Sequence, residues 1–219
     1  MKRLALLALV GCALLAPAAA HATNECKGLQ VCVPVAGPWV VTTPDAEVQY
    51  DLACPKNYIV AGLDAELSAR GIDIGFVGGL GAPVNPGITT KGDAVFLGRL
   101  ARTGGLASFR PHIGCVPAQG GGQRTPTAYH PFPPAKAIDR QVHAFPALPS
   151  RTVSARCTKG ERLTDATHAI GFPGAVPPTE AAMRAVQVTQ AVHNGVVTLR
   201  IRSTHAATVQ LDLLCSVIK

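Results

Sequence analysis

Two stretches of this chain, each bounded by cysteines, repeat one pattern, and this repeat constrains the fold more than any other feature. The stretches open with Cys54-Pro-Lys and Cys157-Thr-Lys, and each closes on an alternating strand that ends in Cys115 or Cys215. We interpret the pattern as a tandem duplication. A disulfide across either stretch would close a loop of about 60 residues, which the chain-entropy model values at about 4 kcal/mol. The cysteines are therefore expected to stabilise two similar modules.

The segment 1–22 has the features of a secretory signal peptide. Two basic residues precede an apolar run from Leu4 to Leu15, and Ala20-His21-Ala22 forms a cleavage pattern of small residues. We expect cleavage after Ala22 and a secreted or periplasmic protein. The alternative is lipoprotein processing at Cys12, which would leave the apolar stretch 13–20 on the mature terminus.

Removal of this leader changes the charge of the chain. It takes away Lys2 and Arg3, so the 20 basic side chains fall to 18, against 13 acidic ones. The remaining net charge of about +5 is mild and favours anionic partners such as a cell surface or an anionic polymer. No cluster of basic and aromatic residues indicates nucleic acid, and no other segment approaches the roughly 20 apolar residues of a transmembrane helix.

The cysteine count agrees with export. The leader contains one of the seven cysteines, and the six that remain are an even number, which in an exported chain indicates a disulfide framework. If the two repeats fold alike, each closes its own pair. The expected pairs are then Cys54 with Cys115, Cys157 with Cys215, and Cys26 with Cys32. The cysteines have no C-x-x-C spacing and no nearby pair of histidines, which argues against a zinc site.

Alternating apolar and polar residues predict β-strands in both repeats. The clearest signal is Asn194-Gly195, the central pair of a two-residue type I′ hairpin, because both positions of that turn need positive φ. This turn sets a register in which Val192 faces Val197, Gln190 faces Leu199 and Val188 faces Ile201. We therefore predict an all-β fold made of two tandem disulfide-closed antiparallel β-sandwich modules, side by side or as one pseudo-symmetric unit.

Two strands carry more specific expectations. In the last strand Val209, Leu211, Leu213 and Cys215 are predicted to point inward, while Gln210 and Asp212 point out. The strand that ends in Cys115 contains Pro111. Because proline has no backbone N–H to donate, this strand is predicted to lie at a sheet edge or to carry a bulge.

The predicted organisation has four parts. Residues 1–22 form the signal peptide, 23–117 an N-terminal β module with a short anchor closed by Cys26 and Cys32, 118–149 a connector rich in Pro and Gly, and 150–219 a C-terminal β module. The later part of the connector, 142–148, is expected to pair like the strand that contains Trp39. The glycine-rich segment 75–81 is interpreted as a loop, because a phosphate-binding loop would be followed by the start of a helix.

The openings of both repeats resemble a known kind of module. Cys54-Pro-Lys-Asn-Tyr-Ile-Val-Ala-Gly62 and Cys157-Thr-Lys-Gly160 look like the Cys-Pro-x-Gly openings of repeat modules in exported bacterial proteins, which end on a closing cysteine. Here Asn57 replaces the glycine of the first opening and Thr158 the proline of the second. The resemblance implies a disulfide-linked β module on an exported protein, and it carries no catalytic residues.

The sequence contains no recognised catalytic or cofactor motif. It lacks the H-E-x-x-H, G-x-S-x-G, EF-hand and Walker patterns, and its histidines are scattered. We expect no cofactor, although a site assembled from distant residues, such as His112 with Asp51, stays open. Any activity is expected in the loops 75–87 and 171–180, where the repeats differ.

The leading hypothesis is an exported, non-enzymatic β-sandwich protein of binding or structural type. The candidate anion-binding residues are Arg200 and Arg202, with Thr198 and Gln187 on the same hairpin face, and Arg99, which the repeat aligns with Arg200. Guanidinium groups bind carboxylate or sulfate bidentately, but an ordinary solvated sheet face has a similar composition. The alternatives are a secreted hydrolase with a cleft between the repeats, and a protease inhibitor or toxin-like effector.

Overall fold

The computed structural model describes residues 23–29, 31–44, 46–78, 92–101, 105–118 and 138–217. The predicted signal peptide, Cys12, most of the predicted connector and most of the loop 75–87 lie outside the described residues. Within them the chain forms thirteen strands and one short helix. The strands are β1 (Val33–Ala36), β2 (Trp39–Thr42), β3 (Val48–Ala53), β4 (Tyr58–Leu67), β5 (Ile72–Gly78), β6 (Asp93–Leu100), β7 (Ala107–Pro117), β8 (Ile138–Pro146), β9 (Arg151–Arg156), β10 (Glu161–Phe172), β11 (Val186–His193), β12 (Val196–Ser203) and β13 (Thr208–Val217), and the helix is α1 (Glu180–Arg184).

Seven of the strands form a central antiparallel sheet. The order runs from β4 through β7, then the consecutive strands β1 and β2, then β10 and β13 to β8. Strands from both halves of the chain therefore belong to one sheet, and they meet where β2 pairs with β10. Strand β8 lies within the range predicted as a connector and pairs along its whole length with β13.

The other six strands form two three-stranded sheets, β3-β6-β5 and β11-β12-β9. Val40 of β2 packs in a core with residues of β3, β6 and β7, whereas Trp39 and Val41 pack in a second core with residues of β12 and β13. Successive residues of a strand point to opposite faces of a sheet. The two small sheets consequently cover opposite faces of the central sheet, which confirms an all-β fold with antiparallel sheets.

The strand that contains Pro111 is an interior strand, so the sheet-edge alternative is wrong. The register shift in its pairing with β4 lies between Val60 and Gly62, whereas Pro111 pairs in register with Ala65. Strand β7 is flanked by β4 on one side and by β1 and β2 on the other. The missing N–H of Pro111 is tolerated because the strand beside it is interrupted there: β1 ends before Gly37 and β2 begins after Pro38. The N–H of Gly37 donates to the carbonyl of Pro111 at 2.8 Å.

Three disulfides link the pairs that the sequence predicted. They join Cys26 to Cys32, Cys54 to Cys115 and Cys157 to Cys215. Cys115 and Cys215 are fully buried, each in one of the two cores. Three disulfides in a chain of this size indicate an oxidising compartment outside the cytoplasm.

The predicted hairpin is confirmed, including its register. Asn194 and Gly195 have φ values of 50° and 72°, and Val192 pairs with Val197 as predicted. The buried side of β12 contains Val197, Leu199 and Ile201. Along the described ranges, no helix has the length and apolar character that crossing a membrane requires.

Candidate functional site

The outer surface of the sheet β11-β12-β9 is the strongest candidate for a binding site. Strand alternation directs Arg200 and Arg202 of β12 outward, and both are exposed. Arg156 of β9 is exposed on the same surface, opposite Val196 of β12. The surface between them is mostly polar, and its other members are Thr152, Ser154, Gln187, Thr189, Ala191, His193, Val196 and Thr198. We call this surface the arginine face.

The arginine face has no acidic side chain among its described residues. Its three arginines form no ion pair or side-chain hydrogen bond with any other described residue. The hydroxyl groups of Ser154 and Thr198 lie 2.9 Å apart across the sheet and bond to each other. Unpaired guanidinium groups with neighbouring hydroxyls present several hydrogen-bond donors and no competing carboxylate, which is the chemistry that binds carboxylate, sulfate or phosphate groups.

A shallow cavity of about 320 Å³ adjoins one end of the arginine face. Its lining includes Arg156, which it shares with the face, and also Arg162, Glu161 and the Asn194-Gly195 turn. The Glu161 carboxylate is already engaged, because it accepts hydrogen bonds from Thr158 and from Gln141, the latter at 2.7 Å. The cavity therefore holds both a cation, Arg162, and the carboxylate of Glu161 beside the end of the arginine face.

Arg99, the third arginine predicted for an anion site, lies in the other small sheet. It is an exposed residue of β6 and sits opposite Asp73 of β5. Since the two small sheets cover opposite faces of the central sheet, Arg99 does not join Arg200 and Arg202. Arg156 was not among the predicted site residues, although it points to the same side of β9 as Ser154.

A buried polar network links the two halves of the chain. Gln210 of β13 bonds to the backbone of Asp51 in β3 twice, accepting from its N–H at 2.7 Å and donating to its carbonyl at 2.9 Å. Arg140 of β8 binds the carboxylate of Asp212 at 2.6 Å and the side-chain oxygen of Gln49 at 3.2 Å. We call these five residues the interhalf network.

The outward prediction for Gln210 and Asp212 is wrong. Their side chains do point away from the core that contains Val209 and Leu211, but β3 covers them, and they are 6% and 2% exposed. Alternation predicts which face of a strand a side chain occupies. It does not predict whether another layer covers that face.

Burial perturbs the carboxyl groups of the interhalf network. It raises the pKa of Asp51 to about 7, and the nearby charges of Asp93 and Asp212 add to this rise while Arg140 opposes it. Burial also raises the pKa of Asp212 to about 6, against the charge and hydrogen bond of Arg140. The pKa of Tyr50 rises to about 12, through burial first and then through Asp51 and Asp212. Asp51 therefore exchanges its proton near neutral pH.

His112 belongs to a separate cluster, away from Asp51. Its Nε2 atom lies 2.8 Å from the carboxylate of Glu66, and its Nδ1 atom lies 3.7 Å from that of Glu25. Glu25 belongs to the anchor closed by Cys26 and Cys32, which packs flat on β4 and β7. A Cβ atom added at Gly62 would lie 1.7 Å from the Glu25 carbonyl oxygen, so only glycine allows this contact.

The described part of the chain has no group of three or more His, Cys, Asp or Glu side chains arranged to hold a metal ion. Neither family models nor curated proteins gave a match to this chain. The arginine face and the interhalf network are therefore the two features of the structure that bear on function.

Proposed function

We propose that this chain is an exported, non-catalytic binding protein, built by tandem duplication of a six-stranded unit, whose arginine face holds an anionic polymer. The predicted signal peptide and the three disulfides support export to the periplasm or beyond. The polymer would be a cell-surface or extracellular one that carries carboxylate or sulfate groups.

The strand pairing supports the duplication. Taken in chain order, β2 to β7 correspond to β8 to β13. The small sheets β3-β6-β5 and β9-β12-β11 then have the same strand order, and β4 and β10 pair with the closing strands β7 and β13. Strands β2 and β8 occupy the other edges of those closing strands. The register shift between Val60 and Gly62 in β4 has a counterpart between Leu163 and Asp165 in β10. A bulge at an equivalent position in both units supports the duplication, because bulges are kept among related structures.

The observation that carries the binding proposal is the absence of acidic side chains from the described residues of the arginine face. A solvated sheet face normally mixes both charges, so that cations find local partners. Here Arg156, Arg200 and Arg202 find none, and Ser and Thr hydroxyls separate them. Two arginines on alternate positions of one strand stand about 7 Å apart, a spacing that suits repeated charges along a polymer.

Retention on immobilised heparin at low salt tests this proposal. The triple variant Arg156→Ala, Arg200→Ala, Arg202→Ala should elute at clearly lower salt than the unmodified protein, because three arginine contacts with sulfate or carboxylate groups are lost together. Binding to isolated anionic wall polymer, measured by co-sedimentation, should fall in parallel. The fold is checked by circular dichroism and by the masses of the disulfide-linked peptides.

A matched control variant distinguishes binding by the arginine face from attraction through net charge alone. The triple variant Lys56→Ala, Arg70→Ala, Lys159→Ala removes the same charge from three exposed positions elsewhere. It should elute close to the unmodified protein. Equal losses in the two triple variants would reduce the interaction to nonspecific attraction, and no loss in the arginine variant would end the proposal.

A second candidate function, a hydrolase acting at the contact between the halves, has one observation in its favour. Asp51 and Asp212 are two neighbouring carboxyl groups, of which Asp212 binds Arg140, and burial raises the pKa of both. Such pairs can divide acid and base roles. Turnover in a broad hydrolase screen that disappears in Asp51→Asn and Asp212→Asn would favour this function over binding.

A further inference from the structure

We propose that two copies of this chain pair through the outer edges of their β11 strands, so that the two three-stranded sheets β11-β12-β9 become one sheet of six strands. The occupant of each edge is the same edge of a second copy. The contact itself does not depend on the anion-binding proposal, whereas the enlarged binding surface that it creates does.

Strand β11 is the uncharged one among the edge strands of the two small sheets. Its eight residues, Val186–His193, include no Lys, Arg, Asp or Glu. The three other edge strands carry charged side chains, which are Asp51 in β3, Asp73 in β5, and Arg151 and Arg156 in β9. Charged side chains on an edge strand oppose its pairing with another chain. Strand β11 therefore lacks a protection that the other edges have.

The backbone of β11 presents a row of hydrogen-bonding groups at its outer edge. His193 and Val196 flank the two-residue turn as a hydrogen-bonded pair, and such pairs alternate along an antiparallel ladder. The odd-numbered residues of β11 therefore bond to β12, while the even-numbered residues from Val186 to Val192 direct their N–H and C=O groups to the outer edge. No other described strand pairs with that edge, and the Val192 side chain is 55% exposed. An unpaired edge of this kind readily takes another strand.

A two-fold axis perpendicular to the sheet relates the two copies. Residues that face each other in an antiparallel pair lie on the same side of the sheet, so the axis passes between one residue and the same residue of the second copy. With Thr189 on the axis, Val186 faces Val192 of the second copy. The pairing then lies wholly within β11 and covers the exposed Val192 side chain.

Thr189 fits the axis better than its neighbour Gln190. The Thr189 side chain is exposed on the outer surface of the sheet, and two threonines that face each other across strands stabilise the pair. The Gln190 side chain is already bound within its own copy, to the His168 ring and to the carbonyl of Ala166, each at 2.8 Å. We therefore place Thr189 on the axis.

The contact joins two arginine faces into one surface. Because the axis is perpendicular to the sheet, both arginine faces lie on the same side of it. Thr189 pairs with Arg200 of β12, so a row across the axis runs from Arg200 of one copy through the two Thr189 residues to Arg200 of the other. With neighbouring strands about 4.8 Å apart, the two Arg200 positions are roughly 14 Å from each other. A polymer that crosses the axis would bind both faces at once, which increases its overall affinity.

Charges introduced at Thr189 test the contact and its register. Sedimentation velocity of the unmodified full-length protein should show a monomer–dimer equilibrium that shifts to the dimer as concentration rises. Thr189→Lys places two like charges opposite each other on the axis, so the dimer dissociation constant should rise about tenfold or more, and Thr189→Glu should have the same effect. Thr152→Lys is the matched control, because it adds the same charge at an exposed position on the other side of Arg200, in β9. It should dimerise like the unmodified protein, and circular dichroism checks the fold of each variant.

A mixture of the two Thr189 variants gives the decisive result. The new lysine of one copy faces the new glutamate of the other, so an equimolar mixture should recover the dimers that each variant alone has lost. An unmodified protein that stays monomeric at every concentration, a Thr189→Lys variant that dimerises normally, an equal loss in Thr152→Lys, or a mixture that stays monomeric would each overturn the proposal. These measurements contain no anionic polymer and the arginine triple variant should still dimerise, so failure of the anion-binding proposal is distinguishable from failure of this one.

Discussion

Arg140 is the single residue on which the interhalf network depends most. Its guanidinium binds Asp212, whose side chain is almost fully buried, and also reaches Gln49 from the other half of the chain. Arg140→Ala would leave the Asp212 carboxylate buried beside the Asp51 carboxyl without its cation. We expect the free energy of unfolding, measured by urea denaturation, to fall by about 3–5 kcal/mol, the usual cost of breaking a buried ion pair.

Two comparisons make this prediction specific. Arg184 pairs with Glu180 on the exposed surface of α1, so Arg184→Ala should cost less than about 1 kcal/mol. Adding Asp212→Asn to Arg140→Ala removes the unpaired charge and should restore part of the lost stability. An unchanged urea midpoint in Arg140→Ala would mean that Asp212 does not need this partner.

Gly62 is the residue that allows the N-terminal anchor to pack on the sheet. Gly62→Ala places a methyl group where the Glu25 carbonyl lies, so the anchor should lift from β4 and β7. We expect faster proteolytic cleavage within residues 23–32 and faster amide exchange there. Gly75→Ala is the control, because its added Cβ would be 3.6 Å from Leu97, an ordinary contact. Equal protection in the Gly62 and Gly75 variants would contradict this role.

At the scale of secondary-structure elements, signals local in the sequence predicted strands, a turn and the disulfide pairs. They did not predict which sheets cover one another. The β11-β12 hairpin was predictable to the residue because Asn194-Gly195 determines both the turn and the register. The hypothesis of a duplication likewise predicted the disulfide pairs. Gln210 and Asp212 were misassigned because the strand that covers them, β3, is distant in sequence: the bonded residues Gln210 and Asp51 are 159 positions apart. No local pattern contains that contact.

The candidate site follows the same rule. Arg200 and Arg202 were predictable because they alternate on one strand of a recognisable hairpin. Arg156 joins them only through the pairing of β9 with β12, and Arg99 is separated from them because its sheet covers the opposite face. Both outcomes depend on how the sheets are arranged, which patterns local in a single sequence do not specify.

For the whole molecule, the interhalf network predicts how stability depends on pH. The folded state raises the pKa of Asp51 to about 7 and of Asp212 to about 6, above the ordinary aspartate value near 4. The folded protein therefore binds these protons more tightly than the unfolded chain does. Because of this difference, the free energy of unfolding should fall by several kcal/mol as pH rises from about 4 to about 7, and then level off.

The pH prediction can be assigned to one residue. Asp51→Asn has nearly the shape of the neutral carboxyl group and does not titrate. The free energy of unfolding, measured by urea denaturation, should therefore vary less across the same pH range. Asp93, Asp212, Arg140 and Tyr50 are the charged or titratable groups around Asp51 that set the remaining slope. Stability that increases with pH across this window would show that the network is arranged differently.

The position of β2 between two cores affects the order in which the chain can complete its fold. Chains are synthesised from the N-terminus, and their domains usually fold in that order. Trp39 belongs to the first half of the sequence, yet it packs in the core formed by the second half, opposite Phe172. We expect its ring to stay exposed to water until β10 has been synthesised. Until then the first half of the chain is incompletely folded and exposes an apolar edge. A nascent chain that stops before residue 172 should therefore need a chaperone to remain soluble.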